Sequence, residues 1–277
     1  MRMSVYRETD GNLLREYALE TPTLHTKQSE KALLEMVPTK EFGSAFFIDN
    51  VLQFTVKDEY IYHEMLVHPC LASSKKREHI CILGGGDGCA AREVLKWKDV
   101  AKIDIFDWDK EVTESFANKH AWMNSWSLSD ARVQIHNRDI RSLVNEDFLY
   151  DCILVDLLDP EESQGELWET ILRCVNKWIR PGGSIVINAG GILPWQTDSF
   201  NWLLQQIQCP PTFRRHLYKV FVPSFGREWC FIVLNQEKTI RLDTLPTPLD
   251  YLDEVAWNQA YVYGWTKNYK ERIQGLF

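Results

Sequence analysis

The stretch ICILGGGDGCAAREV, residues 80–94, decides the fold. Its first four residues form a short apolar strand, its glycine run is a turn, and its last residues begin a helical pattern. This order is typical of the first unit of a doubly wound α/β sheet, in which the glycine loop lets the backbone approach a nucleotide-like ligand. Asp87 is unexpected in such a loop, because loops that bind phosphate or carboxylate offer bare N–H groups. A carboxylate at this position favours an ammonium group as the ligand.

The alternation of strands and helices continues toward the C-terminal end. Further apolar strands are predicted at residues 103–106, 133–136, 152–155, 184–188 and 230–234, and helices at residues 111–118, 167–178 and 198–208. Short apolar strands that alternate with helices imply a parallel sheet covered on both faces. Gly190 and Gly191, after the fifth strand, are interpreted as a turn. The predicted fold class is therefore α/β, with a Rossmann-like (methyltransferase-like) doubly wound sheet.

The N-terminal part of the chain has a different pattern. Residues 31–36 and 44–48 are predicted strands, and the pair Asp49-Asn50 has the composition of a tight hairpin turn. We therefore predict a small N-terminal β domain, residues 1–65, followed by a Rossmann-like catalytic domain, residues 66–277.

The composition is that of a folded globular protein, with 277 residues of which 45% are hydrophobic and 25% charged. The net charge of −8 and the lack of a basic tract disfavour nucleic acid and anionic membranes as partners. No apolar run approaches the roughly 20 residues of a membrane span, and residues 1–8 lack the apolar core of a secretory signal. The seven cysteines include no C-x-x-C pair and the seven histidines no H-E-x-x-H motif. We expect reduced thiols, a cytoplasmic location and no bound metal.

Carboxylates follow the first four strands of the predicted sheet: Asp87, Asp107 with Asp109, Asp139, and Asp156 with Asp159. Ligands of doubly wound sheets lie at the carboxyl ends of the strands, so these side chains should meet at one edge. Any one of them could instead be a helix N-cap or a turn former. Together they would repel one another unless a cation or a proton compensates. We interpret this edge as a pocket for a nucleoside with a cationic tail, with Asp107 where a ribose hydroxyl is usually held.

Three segments resemble those of one known family. GGGDGCAAREV at residues 84–94 is similar to the G-G-G-D/E-G-x-x-x-R-E signature of the polyamine aminopropyltransferases, the spermidine synthase family. DEYIYHEM at residues 58–65 resembles the D-E-F-x-Y-x-E-M block of that family, and DLLDP at residues 156–160 resembles its D-x-x-D-P block. Residues 62–69 and 222–225, together with the DLLDP segment, look most similar to the thermospermine synthase branch.

The resemblance implies transfer of the aminopropyl group of decarboxylated S-adenosylmethionine to a polyamine amine, with release of 5′-methylthioadenosine. Displacement at a carbon next to a sulfonium needs mostly positioning and one proton acceptor, so no metal or redox cofactor is expected. The family pattern implies Asp156 as the base. It implies a donor-binding set and an acceptor-binding set, namely Gln53, Gly84, Gly86, Asp87, Asp107, Asp139 and Ile140 for the donor, and Tyr62, His63, Asp87, Asp159 and Phe225 for the acceptor. The expected assembly is a homodimer or a homotetramer.

Some residues depart from the family pattern. Ala32 stands where many members have glutamine, and the nearby Gln28 could supply that contact only through a shifted strand. Phe225 replaces an acceptor-side tyrosine, and Leu157-Leu158 replaces small polar residues. Because Leu157-Leu158 and Phe225 make the acceptor region more apolar, we predict that spermidine is a better acceptor than putrescine.

The sequence leaves open the roles of two residues and two alternative functions. Trp229 either lines the acceptor pocket or simply packs in the core, and His63 is either a structural hydrogen-bond partner or part of the acceptor site. An S-adenosylmethionine-dependent methyltransferase on the same fold is an alternative function, although Asp87 would repel the carboxylate of its methionine moiety. A catalytically inactive binding protein is a further alternative.

Overall fold

The computed structural model describes residues 4–10, 13–22, 24–193 and 198–260. Six antiparallel strands come first, in a two-stranded hairpin and a four-stranded sheet. They are β1 (Val5–Asp10), β2 (Leu13–Ala18), β3 (His25–Gln28), β4 (Leu33–Thr39), β5 (Gly43–Ile48) and β6 (Val51–Thr55). The predicted hairpin turn between β5 and β6 is confirmed, because Asp49 and Asn50 both have positive φ, at 49° and 66°. The β1–β2 hairpin was not predicted, since its strands carry charged residues among the apolar ones.

The second part of the chain forms a seven-stranded sheet with helices on both faces. Its elements are α1 (Glu59–Ala72), β7 (His79–Gly84), α2 (Cys89–Leu95), β8 (Lys102–Phe106), α3 (Lys110–Ala117), β9 (Val133–His136), β10 (Tyr150–Asp156), α4 (Gly165–Trp178), β11 (Ile179–Ile192), α5 (Asp198–Gln206), β12 (Arg214–Val222), β13 (Arg227–Asn235) and α6 (Glu254–Ala260). The strand order is β12-β13-β11-β10-β7-β8-β9. The order reverses beside β7, so the ends of β7 and β10 lie at the switch point where doubly wound sheets bind their ligands.

At one edge of this sheet the structure differs from the parallel sheet predicted from the sequence. The strands β9, β8, β7, β10 and β11 are parallel, as expected, but β13 is antiparallel to β11, and β12 is antiparallel to β13. Only residues 223–226 separate β12 from β13, and so short a connection can join antiparallel strands but not parallel ones. The turn predicted at Gly190-Gly191 is also wrong. Strand β11 continues to Ile192, and its pairing with β13 shifts register between Asn188 and Gly191.

Buried side chains cover the sheet on both faces. Alternate residues of β7 belong to two different apolar clusters: Ile80 and Ile82 to one, Cys81 and Leu83 to the other. The first cluster continues into the N-terminal strands, where the Phe46 ring lies 4.9 Å from the ring of Phe116 on α3. The two parts of the chain therefore share one apolar core. The boundary predicted at residue 65 lies within α1, and it stays a prediction.

Within the described residues, every helix is too short or too polar to cross a membrane.

Candidate active site

The glycine loop after β7 passes directly over the end of β10. Gly84 pairs with Asp156 in the β7–β10 ladder and has φ of +82°, a left-handed conformation that favours glycine. A Cβ atom on Gly84 would collide with the backbone carbonyl of Asp156. The close approach of the two strand ends brings the loop and the Asp156 carboxylate to the same point at the sheet edge.

Asp156 forms a short hydrogen bond across the site. The Tyr62 hydroxyl on α1 donates to its Oδ1 at 2.6 Å, although 94 positions separate the two residues. Burial raises the pKa of Asp156 to about 6, and the Asp87 charge adds to this, while the charge of His63 and the bond from Tyr62 oppose it. Asp156 is therefore a stronger base than an ordinary aspartate, yet it is ionised at neutral pH.

Asp107 occupies the corresponding position after β8. Its Oδ2 accepts a hydrogen bond from the Gly86 N–H at 3.0 Å, and its Oδ1 accepts one from the Asp109 N–H at 2.8 Å. Burial raises the pKa of Asp107 to about 6 even though both backbone donors favour the ionised form, and the Asp87 charge contributes to the rise. The two bonds fix the carboxylate beside the glycine loop, where it can accept further bonds from a ligand.

Asp87 both forms the turn before α2 and contributes a charge to the site. Its Oδ1 accepts a hydrogen bond from the Cys89 N–H at 2.7 Å, in the first turn of α2. Its carbonyl oxygen accepts another from Asn124 at 2.7 Å. The Asp87 charge also raises the pKa of both Asp107 and Asp156. The turn-forming interpretation is thus correct for this residue, but it does not exclude a second role in ligand binding.

His63 is held by a buried ion pair. Its Nδ1 lies 2.8 Å from Glu59 Oε2, and both oxygens of Glu59 also accept hydrogen bonds from Arg92, at 2.7 and 2.9 Å. Burial alone would lower the pKa of His63, but the bond and charge of Glu59 outweigh it and raise the pKa to about 9. His63 therefore contributes a positive charge next to Tyr62 at neutral pH.

Aromatic rings form a wall beside Tyr62. The ring of Phe225, between β12 and β13, lies 4.5 Å from that of Trp229 and 6.2 Å from that of Tyr62. The Trp229 indole N–H donates to Asn188 Oδ1 at 2.7 Å, so this residue both packs and faces the Tyr62 ring at 6.1 Å. Asp159 is exposed and lies close to Gly190, near the carboxyl end of the same sheet. These rings therefore form an apolar wall next to a group of carboxylates.

Other predicted donor residues lie in different surroundings. Asp139 follows the edge strand β9 and forms an ion pair with Arg141, and the hydrogen bonds from that guanidinium lower its pKa. Ile140 is buried in the apolar cluster on the α4 side of the sheet. The Gln53 side-chain amide donates to the carbonyl of Val51 on its own strand at 3.0 Å.

The segment around Ala32 is attached to the end of β8. Ala32 is buried, and its N–H donates to Ser29 Oγ, which in turn donates to Asp109 Oδ2 at 2.6 Å. Gln28 is exposed on β3, and its amide donates to the Ser29 carbonyl at 3.1 Å. Asp109 therefore joins the N-terminal sheet to the predicted donor side.

One group of side chains among the described residues has the spacing of metal ligands. The ligand atoms of Glu59, His63 and Cys89 all lie within 4.8 Å of one another, and the three residues are buried. Both Glu59 oxygens already bind Arg92, and His63 shares one of them. A metal ion here would have to displace a guanidinium and a proton, so this arrangement does not fit a metal site.

Sequence reasoning missed the roles of Glu59 and Asp58. The spacing of Glu59 and His63, four residues apart on a predicted helix, could have indicated their pairing. The contact of Asp58 with Ser224 spans 166 positions, and no local pattern indicates it.

The fold and this edge define a class of α/β proteins whose ligand site is rich in carboxylates and lies at the switch point of a doubly wound sheet. The sequence profile of the spermine/spermidine synthase domain matches residues 59–244, more than half of the chain, and the chain belongs to this family. The family resemblance seen in the sequence is thereby confirmed.

Individual relatives agree with this assignment. The polyamine aminopropyltransferase of Oceanobacillus iheyensis is 34% identical over 83% of this chain and 45% of its own length. That of Korarchaeum cryptofilum is 37% identical over 72% of this chain and 62% of its own. The chain therefore spans roughly half to three fifths of the length of these relatives. The thermospermine synthase ACAULIS5 of Arabidopsis thaliana is 30% identical over 84% of this chain and 70% of its own length.

Solved structures confirm the fold class. A spermidine synthase crystallised with the transition-state analogue AdoDATO superposes with a TM-score of 0.82 at 23% identity, covering 99% of this chain and 96% of the other. The spermidine synthase of Thermotoga maritima superposes with a TM-score of 0.79 at 22% identity, covering 99% and 95%.

Proposed function

We propose that this protein transfers an aminopropyl group from decarboxylated S-adenosylmethionine to an amine of a polyamine. The observation that carries the proposal is the convergence of Asp87, Asp107 and Asp156 at the ends of β7, β8 and β10. Two of these carboxylates have pKa values raised by burial and by the charge of Asp87. A cationic ligand relieves this repulsion, and both the sulfonium donor and the polyamine are cations. Membership of the spermine/spermidine synthase domain family supports the same assignment.

The proposed reaction is a single displacement. The lone pair of the amine attacks the aminopropyl carbon next to the sulfonium, the C–S bond breaks, and its electron pair goes to sulfur. The products are 5′-methylthioadenosine and the lengthened polyamine, and the proton lost by the amine passes to Asp156. Amines of this kind have a pKa of about 10.4 and are mostly protonated at neutral pH. A carboxylate can first bind the protonated amine and then accept its proton, which frees the lone pair for the attack.

On the donor side, Asp87 holds the aminopropyl ammonium and Asp107 holds the ribose hydroxyls. The backbone of Gly84 and Gly86 allows the nucleoside to come close to the strand ends. The other proposed donor contacts come from the periphery of the site: Gln53, Asp139 and Ile140.

On the acceptor side, Tyr62 orients Asp156, and His63 lies beside it with a positive charge that favours the ionised base. Asp87 and Asp159 would attract the amines of the acceptor, and Phe225 would pack against its methylenes. Because a longer amine has more methylenes to bury, each worth about 0.8 kcal/mol when fully buried, we propose spermidine as the preferred acceptor and putrescine as the next. Thermospermine or spermine would then be the product.

The remaining proposals concern the setting of the reaction. All seven cysteines are free thiols, and six of them are buried, which supports a reducing, cytoplasmic location. The proposed partners are the nucleoside donor and the polyamine, not nucleic acid or a membrane, and the proposed assembly is a homodimer or a homotetramer. The reaction as proposed uses no metal.

Donor choice tests the proposal directly. Calorimetry should show tighter binding of decarboxylated than of ordinary S-adenosylmethionine, because Asp87 repels the carboxylate of the latter. Asp87→Asn should reduce this preference, since a hydrogen bond to a charged group is worth about 1.5–3 kcal/mol. Asp99→Asn is a charge-matched control, because Asp99 pairs with Arg77 just before β8 and β7 begin, at the opposite edge of the sheet, and it should leave the preference unchanged. Equal or tighter binding of ordinary S-adenosylmethionine to the wild type would favour the methyltransferase alternative.

A further inference from the structure

The turn that carries Phe225 is short and tightly bonded. It occupies residues 223–226 between β12 and β13, and the Gly226 N–H donates to the Val222 carbonyl at 3.0 Å. The rings of Phe225, Trp229 and Tyr62 pack together, with centroids 4.5 to 6.2 Å apart. The position of the Phe225 ring against Tyr62 therefore depends on what holds this turn against α1.

Asp58 makes that connection. It stands at the N-cap position of α1, yet its carboxylate bonds, among the described residues, to Thr55 and Ser224 rather than to the first turn of its own helix. Its Oδ2 accepts the Ser224 N–H at 2.7 Å, and its Oδ1 accepts the Thr55 hydroxyl at 2.5 Å. Asp58 is only 5% exposed, so its bond to Ser224 is shielded from water.

A second contact to the same turn is weaker. The Tyr17 hydroxyl lies 3.5 Å from the Ser224 carbonyl, but its single proton is donated to Glu8 Oε2 at 2.6 Å. The hydroxyl cannot donate fully to both acceptors. Among the described residues, the bond from Ser224 to Asp58 is the main polar anchor of the turn on α1.

We propose that Asp58 is a positioning residue that sets the acceptor specificity of the enzyme. Asp58 precedes Tyr62 by four residues at the start of α1, so it joins the backbone of the Phe225 turn to the helix that carries the opposite ring. It fixes the position of the aromatic wall of Phe225, Trp229 and Tyr62, against which the methylenes of the amine would pack, without touching the substrate. This inference rests on the proposed aminopropyl transfer.

The test compares the steady-state constants of three variants. Asp58→Ala leaves the buried Ser224 N–H without its partner, and we expect the KM for spermidine to rise about tenfold, the order of one lost buried hydrogen bond. The KM for the donor should stay within about twofold, as for sites that share no partner. Asp58→Asn should be close to wild type, because its amide oxygen still accepts the Ser224 N–H.

Thr55→Val is the matched control. It removes the other bond of Asp58 and leaves the anchor to Ser224 in place, so the KM for spermidine should not change. Hydrogen exchange at the Ser224 amide gives a readout independent of activity, and it should be faster in Asp58→Ala but not in Thr55→Val or Asp58→Asn. If Asp58→Ala does not fold, Asp58→Glu, which keeps the carboxylate but moves it by one methylene, should change the ratio of the KM values for spermidine and putrescine.

The outcomes separate the two proposals. A wild-type protein that transfers no aminopropyl group to any amine contradicts the proposed function. If the wild type is active, two results contradict only the role of Asp58. One is an unchanged KM for spermidine in Asp58→Ala, and the other is an equal rise in the KM values for donor and amine in that variant. An unchanged KM ratio in Asp58→Glu contradicts that role as well.

Discussion

Asp156 and Asp139 look alike in the sequence, since each follows an apolar strand and precedes a turn, but the structure gives them opposite environments. Asp156 is the last residue of β10, which has neighbours on both sides, and burial raises its pKa to about 6. Asp139 follows the edge strand β9, and the hydrogen bonds of Arg141 lower its pKa. The charge of Asp156 at the switch point is only partly offset by His63 and Tyr62, whereas that of Asp139 is paired with a cation two residues away.

This difference teaches that position in the sheet, and not the strand-end pattern alone, decides which carboxylates can do chemistry. A central strand end is shielded from water by its neighbours, so its carboxylate is desolvated and basic. An edge strand end is open to solvent, and a local arginine can satisfy it. The comparison predicts effects of very different size for the same substitution at the two positions.

The largest effect is expected for Asp156→Asn. The variant keeps the shape and can still accept the Tyr62 hydroxyl, but it removes the negative charge and the proton acceptor. Turnover should fall by about 10²–10⁴-fold, the usual cost of losing a general base, while donor affinity changes little. Steady-state turnover and donor calorimetry on the same preparation measure both quantities. Turnover within a few-fold of wild type would remove Asp156 as the base and leave Asp159 as the next candidate.

The pH dependence of turnover should show the raised pKa of Asp156. The protonated carboxyl cannot accept a proton, so activity is present above the folded-state pKa and is lost as the pH falls through about 6. Below that value the rate should drop about tenfold per pH unit, as for a single essential base. Asp139→Asn should lose activity over the same pH range as the wild type. If activity falls only below about pH 4.5, near the ordinary pKa of aspartate, the pKa of Asp156 is not raised.

A smaller effect is expected on the donor side. Asp107→Asn removes a charged acceptor that the Gly86 and Asp109 amides hold in place, and it should weaken donor binding by roughly tenfold or more. Calorimetry with the decarboxylated donor measures this change. If Asp107→Asn binds the donor as tightly as wild type does, the ribose contact does not lie at this residue.

The smallest effect is expected for Asp139→Asn. Asp139 already pairs with Arg141, and part-exposed ion pairs contribute about 0–1 kcal/mol, so donor affinity should change by no more than a few-fold. The same titration series measures it. A loss larger than that of Asp107→Asn would reverse the comparison and place the main donor contact at the edge strand.

The sequence predicts the parallel part of the sheet and the carboxylates at its edge, because strand periodicity and the glycine loop are local patterns. It does not predict the hairpin β1–β2, whose strands mix charged and apolar residues, or the antiparallel pairing of β13 with β11, which are separated in the chain by α5 and β12. The hydrogen bond from Tyr62 to Asp156 is not predicted from the sequence either. The family motif includes both residues, but only the packing of α1 against the sheet brings them together. The pairing of Asp139 with Arg141 was visible in the sequence as neighbours, yet its strength depends on the exposed edge.

The central claim is that the carboxylates at the switch point bind a decarboxylated donor and transfer its aminopropyl group. Mass spectrometry of the products formed by the purified protein, with decarboxylated and ordinary S-adenosylmethionine and with putrescine and spermidine, tests this claim most directly. We predict an aminopropylated product from the decarboxylated donor, 5′-methylthioadenosine in equal amount, and more product from spermidine than from putrescine. A methylated amine from ordinary S-adenosylmethionine, or no product with any pair, would contradict the account.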